Sequence, residues 1–184
     1  VESQGSKKQA AILSAVALIF ILFTPHAYAD TTFASDTFTD TNDILLENHT
    51  PDVGTSWTKG QGSGVGVLRI NNSTIYASTT TTGTKFWYIG ADSTTADYDV
   101  QAMFSKPSSG ATTPMVMGRV STSAVTGYGL RCDTNGWTLY KWDAGSIATL
   151  ATTASLPCYT AVRTGKIKMR GNYLQVWVDS TQVI

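Results

Sequence analysis

The end of the chain constrains its fold more than any other stretch. In Lys166-Ile167-Lys168-Met169-Arg170 the apolar residues alternate with three cations, and after Gly171-Asn172 the segment Tyr173 to Val178 alternates again. Leu174, Val176 and Val178 fall on one side of that segment, and Tyr173, Gln175 and Trp177 fall on the other. A period of two puts residues i and i+2 on one face of an extended strand. The pair therefore reads as a β-hairpin with one oily face and one polar, aromatic face. Such a hairpin has to bury its oily face against a second layer.

The same period runs back through the chain. Tyr98, Val100, Ala102 and Phe104 share one face, with Asp99, Gln101 and Met103 opposite. Strands are expected over Met115–Val120, Gly127–Cys132, Gly136–Trp142 and Ser146–Ala151, divided by turns at Asp133-Thr134-Asn135-Gly136 and Asp143-Ala144-Gly145. Val65–Ile70 and Thr74–Ala77 read as a hairpin about Asn71-Asn72, and Lys85–Ile89 as a dense apolar strand buried on both sides. Further upstream, Asp36-Thr37-Phe38-Thr39-Asp40 reads as an opening strand. It leads into a turn-rich surface excursion through Pro51, Asp52 and Gly54, which closes on Trp57 as the first large core residue. The expectation is an all-β, antiparallel sandwich over residues 30–184.

The first 29 residues have another character. Lys7 and Lys8 precede an apolar run from Ala10 to Phe23, and Ala27-Tyr28-Ala29 is a small-x-small cleavage signal. This is the layout of a helical secretory signal peptide over residues 1–29, cut before Asp30. The competing reading is an uncleaved anchor, but the run is shorter than the roughly 20 residues a spanning helix needs. The mature protein is thus expected to be secreted, with no membrane partner after cleavage. In an exported chain, Cys132 and Cys158 permit one disulfide, the alternative being two buried thiols. Formal net charge is zero, which argues against a nucleic-acid partner that would need a basic surface.

Asp36-x-Phe38-x-Asp40, the turn His49-x-Pro51-Asp52-x-Gly54 and then Trp57 resemble the start of concanavalin A-like lectin/glucanase domains of the LamG-type jelly-roll kind. Gly127 to Ala151 is similar to the middle hairpins of such domains, and Gly165 to Ile184 to their late strands. The resemblance implies an antiparallel jelly-roll β-sandwich. Domains of that kind continue with at least one more strand, so it also implies a chain truncated beyond Ile184. The superfamily contains both binding modules and glycoside hydrolases, and fold alone does not choose between them.

Glycoside hydrolysis generally needs two carboxylates flanking the scissile bond. The Glu-x-Asp-x-x-Glu pattern of the glucanase branch does not occur here, and Glu47 is the one glutamate after Ala29. Asp97 and Asp99 are the best carboxylate pair at strand spacing, and they read more readily as solvating residues at a strand edge. Asp36, Asp40 and Asp43, with Asn42 and Asp52 nearby, offer oxygen ligands suited to calcium, although Asx residues are also the commonest turn formers. Tyr140 and Trp142, together with Tyr173, Gln175 and Trp177, would form one aromatic outer face beside Lys168 and Arg170 if their strands shared a sheet. Flat rings next to hydrogen-bonding groups suit a glycan or cell-surface polysaccharide. The plainer alternative is ordinary cross-strand pairing. The expected function is a non-catalytic carbohydrate-binding or adhesive module, with calcium as its candidate cofactor. The alternatives are a divergent hydrolase using aspartates, and an assembly protein whose partners are other protein subunits.

Overall fold

The computed structural model describes residues 31–59, 67–77, 87–89, 95–105, 115–121, 126–144 and 146–184. The leader expected over residues 1–29, the first residues of the strand expected at Val65, and the burial expected of Lys85–Ile89 lie outside these. Thr32–Ile184 form one compact unit.

The fold is all-β and sandwich-like. Strands β1 (Ile44–Leu45), β2 (Trp57–Lys59), β3 (Leu68–Asn71), β4 (Thr74–Ala77) and β5 (Trp87–Ile89) make two small sheets, ordered β1-β3-β4 and β2-β5. The body consists of β6 (Asp99–Phe104), β7 (Met115–Ser121), β8 (Thr126–Asp133), β9 (Gly136–Asp143), β10 (Ser146–Thr153), β11 (Arg163–Arg170), β12 (Tyr173–Val178) and β13 (Thr181–Gln182). These form two four-stranded sheets, ordered β10-β9-β8-β7 and β13-β12-β11-β6. Every strand pairing among the described residues is antiparallel.

The inner faces of the two larger sheets enclose a common core. Leu130, Cys132, Trp137 and Leu139 come from one sheet; Phe104, Ile167, Met169, Val176 and Val178 come from the other. The alternation of β11 and β12 is the cause. Ile167 lies opposite Val176 on one side and Val100 on the other, so three apolar side chains cross the sheet in one row. Trp137 is the largest fully buried side chain among the described residues. Its ring meets Phe104 edge-on with centroids 5.1 Å apart, and its Nε1–H donates to the Leu156 carbonyl at 2.8 Å. The ring has room because the facing strand carries Gly165, where a Cβ would lie 2.6 Å from Trp137 Cζ3. Cys132 lies opposite Trp137 in the sheet and is bonded to Cys158.

One end of the sandwich is held by Arg119. The β7–β8 register shifts between Gly118 and Ser121, and Arg119 takes a left-handed conformation with φ of 50°. Its guanidinium donates to the carbonyls of Ala96 at 2.7 Å and Gly171 at 2.8 Å. The bulge thereby ties one sheet to the approach of β6 and to the β11–β12 turn of the other.

Three expectations are corrected. Asp36–Asp40 is not a strand: Phe38 has φ of 54°, and its N–H is held by Asp36 Oδ1 at 2.7 Å, which curls the backbone. Ser35 alone makes a bridge there, to Val53. Trp57 is half-buried and outside the main core, because its indole N–H is drawn to Asp36. The β3–β4 turn falls on Asn72-Ser73, one residue later than expected, both with positive φ.

Gly165→Ala is expected to destabilise the protein by about 1–3 kcal/mol through overpacking against Trp137, read from the urea midpoint. Reducing the disulfide, whose cysteines are 26 residues apart, is expected to cost about 3 kcal/mol by freeing the unfolded chain. Equal midpoints with and without reductant would contradict this.

Candidate functional site

Each inward apolar residue of β11 and β12 forces its neighbours outward, so the solvent face of this sheet is built from their complement. Lys166 lies opposite Trp177, Lys168 opposite Gln175, and Arg170 opposite Tyr173. On the other side of β11, Thr164, Lys166 and Lys168 face Met103, Gln101 and Asp99. Gln182 of β13 lies opposite Trp177.

This face is open. Tyr173 is 79% exposed and Met103 76%. Lys168 Nζ sits 4.2 Å from the centre of the Trp177 ring, a cation–π contact that uses the negative face of the indole. Trp177 Nε1–H points to Gln175 Oε1 at 3.5 Å. Arg170 pairs with Asp99 at 2.8 Å. The result is a flat surface of two rings, amide side chains and cations. Chemically it can stack against apolar C–H faces and exchange hydrogen bonds with hydroxyls.

Tyr140 and Trp142 are not part of it. They lie on β9, in the other four-stranded sheet, and each is only 8% exposed. The single aromatic face expected from the alternation is therefore split. Their cross-strand neighbours on β8 are Gly129 and Gly127, which bring no side chains to separate the rings from the sheet. Arg131 lies 4.7 Å over the Tyr140 ring while pairing with Asp133 at 2.8 Å. Trp142 Nε1 and Arg131 Nε are buried without hydrogen-bond partners among the described residues.

The acidic residues near the start also resolve differently from the expectation. His49, 4% exposed, is clamped between Asp36 Oδ1 at 2.9 Å from Nε2 and Asp40 Oδ2 at 2.8 Å from Nδ1. Asp36 Oδ2 additionally accepts the Trp57 indole N–H. Both ring nitrogens face carboxylates, and the imidazole satisfies both only as a cation with two N–H donors. Asp43 is elsewhere, accepting the Tyr76 hydroxyl at 2.7 Å beside Arg69 at 3.6 Å. The three carboxylates proposed for calcium thus do not converge, and the His49 ring stands between two of them. No group of three metal-ligating side chains comes together among the described residues. Asp97 and Asp99 are likewise held apart: Asp97 Oδ1 accepts the Gly171 N–H at 2.8 Å and faces Arg119 at 3.3 Å, while Asp99 is held by Arg170.

The His49 clamp was not anticipated. Its signal in the sequence is a lone histidine in residues 30–184 with two aspartates upstream at strand-like spacing. No family model matches the chain, and no curated protein or solved structure is significantly similar to it.

The clamp sets a pH dependence. Burial pushes the His49 pKa down, but hydrogen bonds to Asp40 and Asp36 and their negative charges outweigh it, and the value rises above 6.5. The hydrogen bond from His49 and that from the Thr41 N–H hold Asp40 below 3.8. A raised histidine stabilises fully below 6.5 and loses this as pH climbs through its folded value; a lowered aspartate stabilises fully above 3.8 and loses this as pH falls. The stability gap between wild type and His49→Gln is expected to be widest between those limits and to narrow at alkaline pH. Denaturant titrations across pH measure it, and a gap that widens with alkali would refute the clamp.

Proposed function

We propose that the protein is an exported, non-catalytic carbohydrate-binding or adhesive module with a jelly-roll type of sandwich, and that the outer face of β11 and β12 is its ligand surface. One observation carries this reading: on the outward side of β12, Tyr173 is exposed and Trp177 half-buried beside Gln175 and Lys168, while the inward residues Val176 and Val178 supply the core. Exposed tyrosine beside a half-buried tryptophan and amide groups presents the mixed surface that ligand sites use. Sugars suit this one because their C–H faces stack on rings while their hydroxyls reach amides. A binding surface on strands rather than loops is pre-organised, which limits the entropy lost on association.

A second reading, a subunit of an assembly, is favoured by β10. It is an edge strand among the described residues, and it exposes Ile147 and Leu150 at 50% and 47%.

Affinity electrophoresis through gels containing neutral and acidic polysaccharides tests the first reading. Wild-type protein is expected to be retarded by at least one polysaccharide. Trp177→Ala is expected to weaken that binding about tenfold, consistent with roughly 1.4 kcal/mol per tenfold, with chelator making no difference. Free migration in every gel, together with concentration-dependent multimers in light scattering, would favour assembly instead.

A further inference from the structure

We infer that the ligand of the β11–β12 face is an acidic polysaccharide, a chain of sugars bearing carboxylate or sulfate groups. This inference rests on the carbohydrate-binding reading above and adds the charge of the ligand.

The observation behind it is where cations are left over. Arg69, Arg119, Arg131, Lys141 and Arg163 each have an aspartate within reach, respectively Asp43, Asp97, Asp133, Asp143 and Asp179. Lys59, on β2, and Lys166 and Lys168 have no carboxylate partner among the described residues, and of these only Lys166 and Lys168 share one strand face. With Arg170 they form a row on β11, spaced by roughly 7 Å per two residues of extended chain. Asp99 is the one carboxylate facing this row among its cross-strand partners, and it is already bound to Arg170. The face therefore carries a local positive surplus, although the whole chain has a formal net charge of zero.

The surplus is coupled to the rings. Lys168 rests over Trp177 and lies across from Asp99, which is bound to Arg170, and it has no salt bridge of its own among the described residues, so its ammonium can turn to an incoming anion beside the indole. Lys166 lies opposite Trp177 on the adjacent strand, so two cations flank one ring. Gln101, Gln175 and Gln182 surround the pair and supply donors and acceptors for hydroxyls. A polymer with one acidic group per sugar presents rings, hydroxyls and spaced charges together. A nucleic acid would bring a much denser line of phosphates than three cations and one carboxylate can neutralise.

The test compares polygalacturonate with the same polymer fully methyl-esterified, which keeps the sugar rings and removes the charge. Dextran sulfate and neutral dextran distinguish sulfate from carboxylate. The full chain, its Lys166→Gln/Lys168→Gln double variant and its Trp177→Ala variant are each titrated at low and moderate salt, with thermal unfolding as the control for folding. At least one acidic polymer is expected to bind tenfold or more tightly than its uncharged counterpart, and to weaken with salt. The double variant is expected to lose about tenfold on the acidic polymer and little on any neutral one. Trp177→Ala is expected to lose binding to both. Equal affinity for charged and uncharged polymers, or a folded double variant that binds like wild type, overturns the inference while leaving the carbohydrate-binding reading in place. Absence of binding to every polysaccharide overturns both. Tighter binding to a single-stranded oligothymidylate than to the acidic polymers overturns the inference in favour of nucleic acid.

Discussion

The sandwich depends on a bulky indole set against a bare backbone. Trp137 enters the core from one sheet, and Gly165 gives it space on the other. Around this contact gather Phe104, the disulfide and the Leu156 carbonyl, which accepts the indole proton. Burying a ring of this size stabilises most when its single polar hydrogen finds an acceptor and its edges find neighbours. Both conditions are met here, and they fix the relative position of the two sheets more tightly than aliphatic contacts alone.

Much of the body was legible in the sequence, and the reason is parity. In β6, β11 and β12 the residues assigned to the inner face are the ones that pack into the core. Alternation reports which side of a strand a residue occupies. It does not report which strands are neighbours, so from alternation alone Tyr140 and Trp142 look like part of the same face as Tyr173 and Trp177. Parity also fails on β9, where Trp137 to Tyr140 are all buried, so both of its faces are covered. The segment around Asp36 was misread for a different reason. Asp36, Asp40 and Asp52 act there through hydrogen bonds to backbone N–H groups, to His49 and to Trp57, and such bonds leave no periodic trace.

The two unusual polar arrangements contrast in their surroundings. The His49 ring is enclosed and both its nitrogens are paired, so the clamp organises the first part of the chain. The β11–β12 face is open, and its lysines lack ionic partners among the described residues. Polar groups that a fold fully satisfies serve its architecture; those left unsatisfied on a rigid surface are the ones able to serve recognition.

The interleaving of β11 has a consequence for how such a protein can change. Its odd-numbered positions, Gly165, Ile167 and Met169, answer to the interior, while the even-numbered Lys166, Lys168 and Arg170 answer to the outside. One stretch of backbone thus carries two messages that can be edited separately. New specificities can be written at alternate codons without disturbing the scaffold that displays them.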